Sequence, residues 1–464
     1  MVKDSSILIL TRPRANDGIW LTLLLPISII TSTLTHPIVL TPTYKLVAVF
    51  CVGLISTSLV FYYQYLKKEP LQLLSLWHVP SIILSGLIFN LYLNKDLIFS
   101  IISALFCTLF YYYKLKWTLL KFPHSFTIGE ACLIAQALVL ILFSTALNLL
   151  SLSNKVFISN MQVSTLIIQV GLSGIGVIAY STNVFKIKNV IFFYLIFVTV
   201  VIMGVLLPVH IILKRSPILW ILELMLYDIS SIKLISFWVI CSLVAVIAVR
   251  NQIYFKEKAT TSQRKVFHIL AVSVFVPGLI YKCSFLYLAS GVVLGIFFCL
   301  EILRIKNIPP IGKYLQDGFS VFSDEKDCGI VAFTPIYLLT GCALPLWIHP
   351  APCDPTDSAS FSLLPLLSGV LTIGIGDTAA SVIGSNYGKH KWKGSSKTIE
   401  GTMACIFSQF AFVMLLNYLD WIRNMTTFLY IKTAVAILLT SIVEAKTTQV
   451  DNLVLPLIMY IILI

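Results

Sequence analysis

The chain has 464 residues, of which 58% are hydrophobic and only 11% charged, with a mean hydropathy of +0.93. Soluble globular domains carry charge on about a quarter of their residues, so that class is excluded and a polytopic membrane protein is implied. The net charge of +13 would suit nucleic acid, but the basic residues lie in short loops beside apolar runs, where membrane topology accounts for them and no nucleic-acid partner is implied.

Lipid leaves bare backbone groups unsatisfied, so repeated apolar runs of about twenty residues must be helices; the alternation of a barrel is absent, and the fold class is all-α. The polar start, Met1 to Gly18, holds Arg12 and Arg14, and no small-residue cleavage site follows the apolar run from Ile19, so a retained signal anchor is expected. Apolar segments lie near 19–35, 44–64, 72–93, 97–113, 127–149, 163–185, 189–213, 233–249, 266–282, 284–303, 330–348, 361–385, 400–419, 426–445 and 453–464, giving about 14–15 spans. The stretch 216–231, with Glu223 and Asp228, is too polar to span and reads as an interfacial helix. When every second loop shares a side with the amino terminus, that side gathers most of the 33 Lys and Arg, from Arg12 and Lys67 through Lys265 to Lys389–Lys397 and Lys446. The positive-inside rule makes it cytosolic. The opposite loops are short and poor in charge, and there Asn424-Met425-Thr426 reads as a glycosylation acceptor. The ten cysteines form no C-x-x-C pair and lie mostly inside apolar runs, as buried packing residues do.

Up to residue 249 the apolar stretches carry few acids, Glu130 being the main exception; from 250 onward acids crowd the cytosolic ends of spans. A multispan scaffold over 1–249 and a catalytic membrane domain over 250–464 are therefore expected. Asp377 lies six to eight residues before the cytosolic end of its span, roughly 10 Å deep at 1.5 Å per residue, where a carboxylate needs a cation or hydrogen bonds. Gly374, Gly376, Ala380, Ser381 and Gly384 leave space beside it. A cluster of four lysines follows, Lys389, Lys391, Lys393 and Lys397, ending at a helix start, Thr398-Ile399-Glu400-Gly401-Thr402, where free N–H groups and the dipole favour a phosphate. Glu400 in that first turn would repel the phosphate unless a divalent metal lies between them. Asp377 and Glu400 are thus the expected metal-facing carboxylates of a nucleotide site. Gly384-Ser-Asn-Tyr-Gly388-Lys389-His390 lacks the spacing and the Ser or Thr of a P-loop, and the protein-kinase H-R-D and D-F-G elements are absent.

Arg264-Lys265-Val-Phe-His268, the acids Asp324 and Asp327 in Ser323–Gly329, and Glu444 with Asp451 stand at other junctions on the same side, which suggests one composite pocket. A transporter would need polar residues continuing to the far side, and here they gather at one surface.

Together, Arg264-Lys-x-Phe-His268, Ser323-Asp-Glu-Lys-Asp-x-Gly329, Gly376-Asp-Thr-x-Ala-Ser381, Lys397-Thr-x-Glu-Gly-Thr402 and Thr447-Thr-Gln-x-Asp-Asn-Leu453 resemble the dolichol kinase family over roughly 250–464. The resemblance implies transfer of the γ-phosphate of CTP to dolichol at the endoplasmic reticulum membrane, with Mg²⁺ or another divalent cation. It places the nucleotide on a cytosolic loop, Ser385-Asn386-Tyr387-Gly388-Lys389-His390-Lys391-Trp392-Lys393-Gly394-Ser395-Ser396-Lys397-Thr398-Ile399-Glu400. The chain departs from the family where a Pro-Gly usually precedes paired lysines: it has Lys393-Gly394 and then Ser396-Lys397, so Lys391 or Lys393 is left to supply one phosphate contact. Asp377, Lys397, Glu400 and Asp327 are the expected catalytic residues, Asp377 or Asp327 serving as base, with Arg264, Lys265, His268, Asp324 and Asp451 on the substrate side. The Gly-Asp and Lys-Thr-x-Glu-Gly elements are shared with phosphatidate cytidylyltransferases and phytol kinases. Another CTP-using enzyme acting on diacylglycerol, phytol or phosphatidate is therefore the alternative.

Overall fold

A computed structural model describes residues 11–13, 15–67, 75–151, 159–185, 189–255, 258–322 and 329–464. Every regular element among them is helical, with no strand beyond a single antiparallel bridge between Lys391 and Thr398. Ten described helices are long and apolar enough to cross a membrane, and five shorter apolar ones accompany them, Leu21–Thr35, Leu76–Tyr92, Pro217–Leu226, Thr334–Ile348 and Asp451–Leu463. The expected run near 361–385 is a further, irregular helical path that ends at Tyr387. The protein is a multi-pass, all-helical membrane protein, and the segment read as interfacial forms its own ten-residue helix, Pro217–Leu226.

The chain forms two compact units. One comprises Met1–Asn148 with Lys326–Val331 and Thr448–Val450; the other comprises Leu149–Glu325, Ala332–Thr447 and Asp451–Ile464.

In the amino-terminal unit, Gln136 lies buried on the inner face of the helix Ile128–Leu150 and donates to Thr22 O at 2.9 Å and Ser58 Oγ at 3.1 Å. Ser58 Oγ also meets Tyr111 Oη at 2.7 Å, and the stacked rings of Phe50 and Phe143 fill the space between helices. Small polar groups satisfied side chain to side chain are how helices associate where lipid supplies no hydrophobic drive.

In the carboxyl-terminal unit the helix Thr261–Tyr281 opens with a capping box. Thr260 Oγ1 accepts from Gln263 N and Gln263 Oε1 accepts from Thr260 N, which closes two of the amides a helix start leaves free. The core beneath it joins Phe275, Leu279, Leu367, Val370, Leu371, Ala436, Ile437 and Met459. Through this core runs the helical path 363–387, widened to π-helix over Val370–Asp377. A π stretch rotates the side chains that follow and recurs at functional sites; here Asp377 ends it. Glycine is required at 376, because a Cβ there would meet Gln409 Nε2 at 2.6 Å and Cys405 Sγ at 2.9 Å of the neighbouring helix Ile399–Tyr418. At the far end of the helix Cys283–Ile305, Arg304 forks onto Glu301 at 2.6 and 2.9 Å, and Glu301 Oε1 also accepts from Ala332 N at 2.6 Å.

One expectation fails. Cys283 and Cys353, read as packing residues, are joined by a disulfide. The signal was absent from local spacing because 70 residues separate them, and only the fold brings the loop after Ile348 back to the start of the helix Cys283–Ile305. Asp357 fixes the same junction, accepting from Ser284 N at 2.8 Å and, through its carbonyl, from Cys283 N at 2.9 Å. Seven other cysteines among the described residues are free, most of them buried as expected. Peptide mapping of denatured, unreduced protein is expected to find Cys283 and Cys353 linked. Cys353→Ser should lower stability by about 2–4 kcal/mol, the usual worth of a bridge closing so long a loop, measured by thermal unfolding in detergent.

Candidate active site

The sequence places charge at the ends of apolar helices, and antiparallel neighbours joined by short loops bring alternate ends together. The start of the helix Thr261–Tyr281, the end of the path 363–387, the start of Ile399–Tyr418, the end of Thr427–Lys446 and the start of Asp451–Leu463 share one end of the carboxyl-terminal unit. The disulfide lies at the other end, about 24 Å from Lys265 by the rise of the sixteen residues to Tyr281.

Lys265 and His268 sit one turn apart on one helix face, so both reach the same partner. That partner is Asp377: Lys265 Nζ ion-pairs with Oδ2, and His268 Nε2 stands 3.5 Å from the same oxygen. His268 and Asp377 are buried and Lys265 is largely so, and Ser381 Oγ donates to Oδ1 at 3.4 Å from the next turn. A carboxylate at this depth is tolerated only with such partners. His268 Nδ1 is buried with no hydrogen-bond partner among the described residues, as is Thr378 Oγ1 beside Asp377.

Lys397 forms the second half of the site. Its ammonium pairs with Glu444 Oε1, donates to Glu444 O at 2.7 Å and stands 3.9 Å from Asp451 Oδ2. Burial pulls its pKa down, but Asp451, Glu444 and Asp377 more than offset this and hold it above the ordinary lysine value. The sign follows: stability linked to this charge is fully present below the unfolded-state pKa and is lost only as pH rises through the higher folded value. Asp377 acts on Lys397 as well as on Lys265, so the two halves share one field.

The lysine-rich stretch folds as a small hairpin. Trp392 N donates to Lys397 O at 3.0 Å and Ile399 N to His390 O at 2.7 Å, while Gly394, at φ +78°, makes the left-handed turn at the tip. Trp392 leans on the next helix, its Nε1 donating to Thr402 Oγ1 at 2.9 Å, and Lys446 Nζ lies 5.7 Å from its ring centroid. Lys389, Lys391 and Lys393 are exposed along the hairpin, with Ser385, Asn386 and Tyr387 exposed just before it and Ser396 near its tip. Thr398 caps the helix, accepting from Gly401 N at 3.2 Å. Gly388, Ser395 and Ile399 complete the stretch without an ionisable side chain.

Glu400 has a different partner from Asp377. It accepts from His390 N at 3.2 Å and meets His390 Nδ1 at 2.6 Å, fastening the hairpin's base to the helix start. No hydrogen bond or ion pair links Asp377 with Glu400, and the described residues hold no group of three or more His, Cys, Asp or Glu able to bind a metal. Asp377 is paired with Lys265 and Glu400 with His390, so each carboxylate has a partner of its own. Of the substrate-side residues, Lys265, His268 and Asp451 join the cluster and Arg264 is half-buried beside Lys265. Asp324 and Asp327 lie outside the described residues. Glu444, quoted with its motif but given no role, proves to be the closest partner of Lys397; its position one helical turn before a motif-bearing loop was the available signal.

The match of a family model decides the grouping: the dolichol kinase model fits residues 83–342. This chain belongs to the dolichol kinase family. It is 35% identical over 377 residues to "Dolichol kinase" of Mus musculus, covering 78% of this chain and 70% of that protein. It is 34% identical over 380 residues to the Homo sapiens protein, at 78% and 69% coverage, and 33% identical over 255 residues to "Dolichol kinase EVAN" of Arabidopsis thaliana, at 53% and 43%. No solved structure matches the chain significantly.

Removing one partner of a buried ion pair strands the other, at a cost of about 3–5 kcal/mol. Lys265→Met is therefore expected to destabilise this dolichol kinase family member by that amount. The double variant Lys265→Met with Asp377→Leu should regain most of it, read by thermal unfolding of purified protein, while remaining inactive.

Proposed function

We propose that this chain transfers the γ-phosphate of CTP to the terminal hydroxyl of dolichol, giving dolichyl phosphate for protein glycosylation. Membership of the dolichol kinase family supports the acceptor and the reaction. The observation that carries the site assignment is the cluster of Lys265, His268, Asp377, Lys397, Glu444 and Asp451, buried or partly buried, at the end of apolar helices. It lies where a lipid's alcohol and a water-soluble donor can meet. Every member falls after residue 250, in keeping with a catalytic carboxyl-terminal half.

An ammonium has three donors, and Lys397 directs two at Glu444, leaving one for a phosphate oxygen. Lys389, Lys391 and Lys393 add positive field along the hairpin, and the capped helix start at Thr398 adds its dipole. Any divalent cation arrives with the nucleotide as part of the substrate, since the protein's carboxylates are already engaged. The polyprenol hydroxyl approaches from the bilayer to His268, whose unmet Nδ1 needs a hydrogen-bond partner. The hydroxyl oxygen attacks the γ-phosphorus, the bond to the β-bridging oxygen breaks, and CDP leaves with that oxygen. The hydroxyl proton passes to a carboxylate, Asp377 or Asp327. Phosphoryl transfer asks for little else: in-line positioning and neutralised charge supply most of the rate.

The active end faces the cytosol from the endoplasmic reticulum membrane in this reading. Two independent features support that side, the concentration of Lys and Arg there and the disulfide at the opposite end, where an oxidising lumen would maintain it.

CTP labelled at the γ-phosphate is expected to label dolichol, and α-labelled CTP is not; label entering lipid from the α-position identifies a cytidylyltransferase instead. Lys397→Ala should raise the KM for CTP roughly tenfold, the worth of one charge-assisted hydrogen bond, and an unchanged KM removes the lysine from the nucleotide site. Asp377→Asn is expected to abolish product formation in protein that remains folded, and single-turnover comparison with Asp327→Asn identifies the base.

A further inference from the structure

The end of the helix Leu97–Lys121, in the amino-terminal unit, carries chemistry that phosphoryl transfer leaves unused. The helix is apolar and long enough to cross a membrane, and its three charged residues, Lys114, Lys116 and Lys121, all lie in its last eight positions. There Tyr113, Lys116, Trp117, Leu120 and Lys121 recur at intervals of three and four, which puts them on one face. Tyr113, Trp117 and Leu120 are 49%, 40% and 39% exposed, whereas Tyr111, Leu115 and Leu119 of the opposite face are buried. A groove of about 340 Å³ follows the exposed face, lined by those five residues and Tyr112.

The rings of the groove are held in place. Lys114 Nζ lies 5.7 Å from the Tyr113 centroid and 5.6 Å from that of Trp117, and Trp117 meets Phe122 edge-on at 5.6 Å. Tyr112 donates to Gln64 Oε1 at 2.9 Å and takes His78 against its ring at 4.4 Å. Aromatic residues and lysines near span ends are common in multi-pass proteins, as anchors at the membrane surface. Walls fixed beforehand do more than anchor, because a ligand that enters them loses little to ordering the site.

By the rise of eight residues, Tyr113 to Lys121 covers roughly 12 Å, enough to reach from the edge of the hydrocarbon through the headgroup layer. What lies against the groove is therefore lipid. The rings and Leu120 accept an apolar chain, and the ammonium groups of Lys116 and Lys121, on stems that reach outward, attract negative charge. A zwitterionic headgroup brings an ammonium of its own and forfeits part of that attraction. Charge complementarity thus selects an anionic phospholipid, a class held by the leaflet on the lysine-rich side.

We propose that this groove binds one anionic phospholipid, its headgroup on Lys116 and Lys121 and the start of one acyl chain along Tyr113, Trp117 and Leu120. The volume, near the lower end for small-ligand pockets, suits that part of the lipid, and the remaining chain length stays in the bilayer.

Full-length protein purified in mild detergent is given phosphatidylserine, phosphatidylcholine or inorganic phosphate, with bound lipid counted by native mass spectrometry and stability followed by thermal unfolding. One phosphatidylserine per chain is expected to be retained in preference to phosphatidylcholine, with a rise in Tm that inorganic phosphate does not reproduce. Lys116→Gln and Lys121→Gln should each weaken retention roughly fivefold, the worth of one lysine beside an anionic headgroup. Lys121 is exposed, so its variant carries the test even where Lys116→Gln fails to fold. Lys67→Gln is the control: Lys67 also stands by an aromatic ring in the same unit, 5.9 Å from the Tyr63 centroid, but outside the groove, and its loss should leave retention unchanged. Equal retention of phosphatidylcholine, or equal stabilisation by inorganic phosphate, overturns the proposal. The same loss of retention in Lys67→Gln overturns it as well, by reducing the site to a diffuse basic surface.

Discussion

Charge buried among apolar helices is the constraint from which the rest of this structure follows. In a chain with so few charged residues, each acid at membrane depth has to be met by a cation or by fixed donors. Asp377 is met by Lys265 and His268, Glu444 by Lys397, Glu130 by Arg12, and Glu301 by Arg304. Each pairing joins different segments, except the one-turn link of Arg304 to Glu301. The ion pairs therefore do more than neutralise. They decide which helix ends approach one another, and the apolar surfaces between them could pack in several ways that the charges forbid.

The same constraint explains what could be read from the sequence. Apolar runs report helices because lipid permits little else, so element type and approximate limits were legible throughout. Irregularity was not: nothing in the residues 370–377 marks a π-helix, and the close approach of neighbouring helices at Gly374 and Gly376 within it is a property of the fold. Of the charged motifs at helix ends, Lys265, His268, Asp377, Lys397 and Asp451 do come together. Sequence proximity does not by itself give the side-chain partners of Glu400. Three residues from Lys397, it reads as a partner of the same phosphate, but the hairpin directs the Lys397 side chain toward Glu444 and Asp451 while Glu400 closes on His390. Side-chain direction after a tight turn depends on backbone twist that a pattern of residue types does not carry.

Long-range partners were the other blind spot. Cys283 with Cys353, and Arg12 with Glu130, are separated by 70 and 118 positions, and neither pair has a spacing that announces it. Arg12 looked like one more surface anchor among many basic residues. Glu130 looked anomalous only because acids are scarce before residue 250, and that anomaly was the usable signal: an isolated acid in an apolar half has to have found a cation.

A site in which Lys265 and Lys397 already lean on carboxylates needs reconciling with the proposed binding of a highly charged nucleotide. Paired lysines are held in one orientation, so little side-chain entropy remains to be lost when phosphate arrives, and their retained partners keep the empty site from accumulating stray anions or unbalanced positive charge at the bilayer. Against three acids, Asp377, Glu444 and Asp451, stand Lys265 and Lys397, so the buried cluster is not itself strongly positive. The surplus lies instead on the exposed hairpin lysines Lys389, Lys391 and Lys393, where water still solvates them. On the proposed reading attraction and orientation are thereby separated: the hairpin would draw the donor from solution, and the paired lysines would hold its terminal phosphate beside a hydroxyl that never has to leave the membrane.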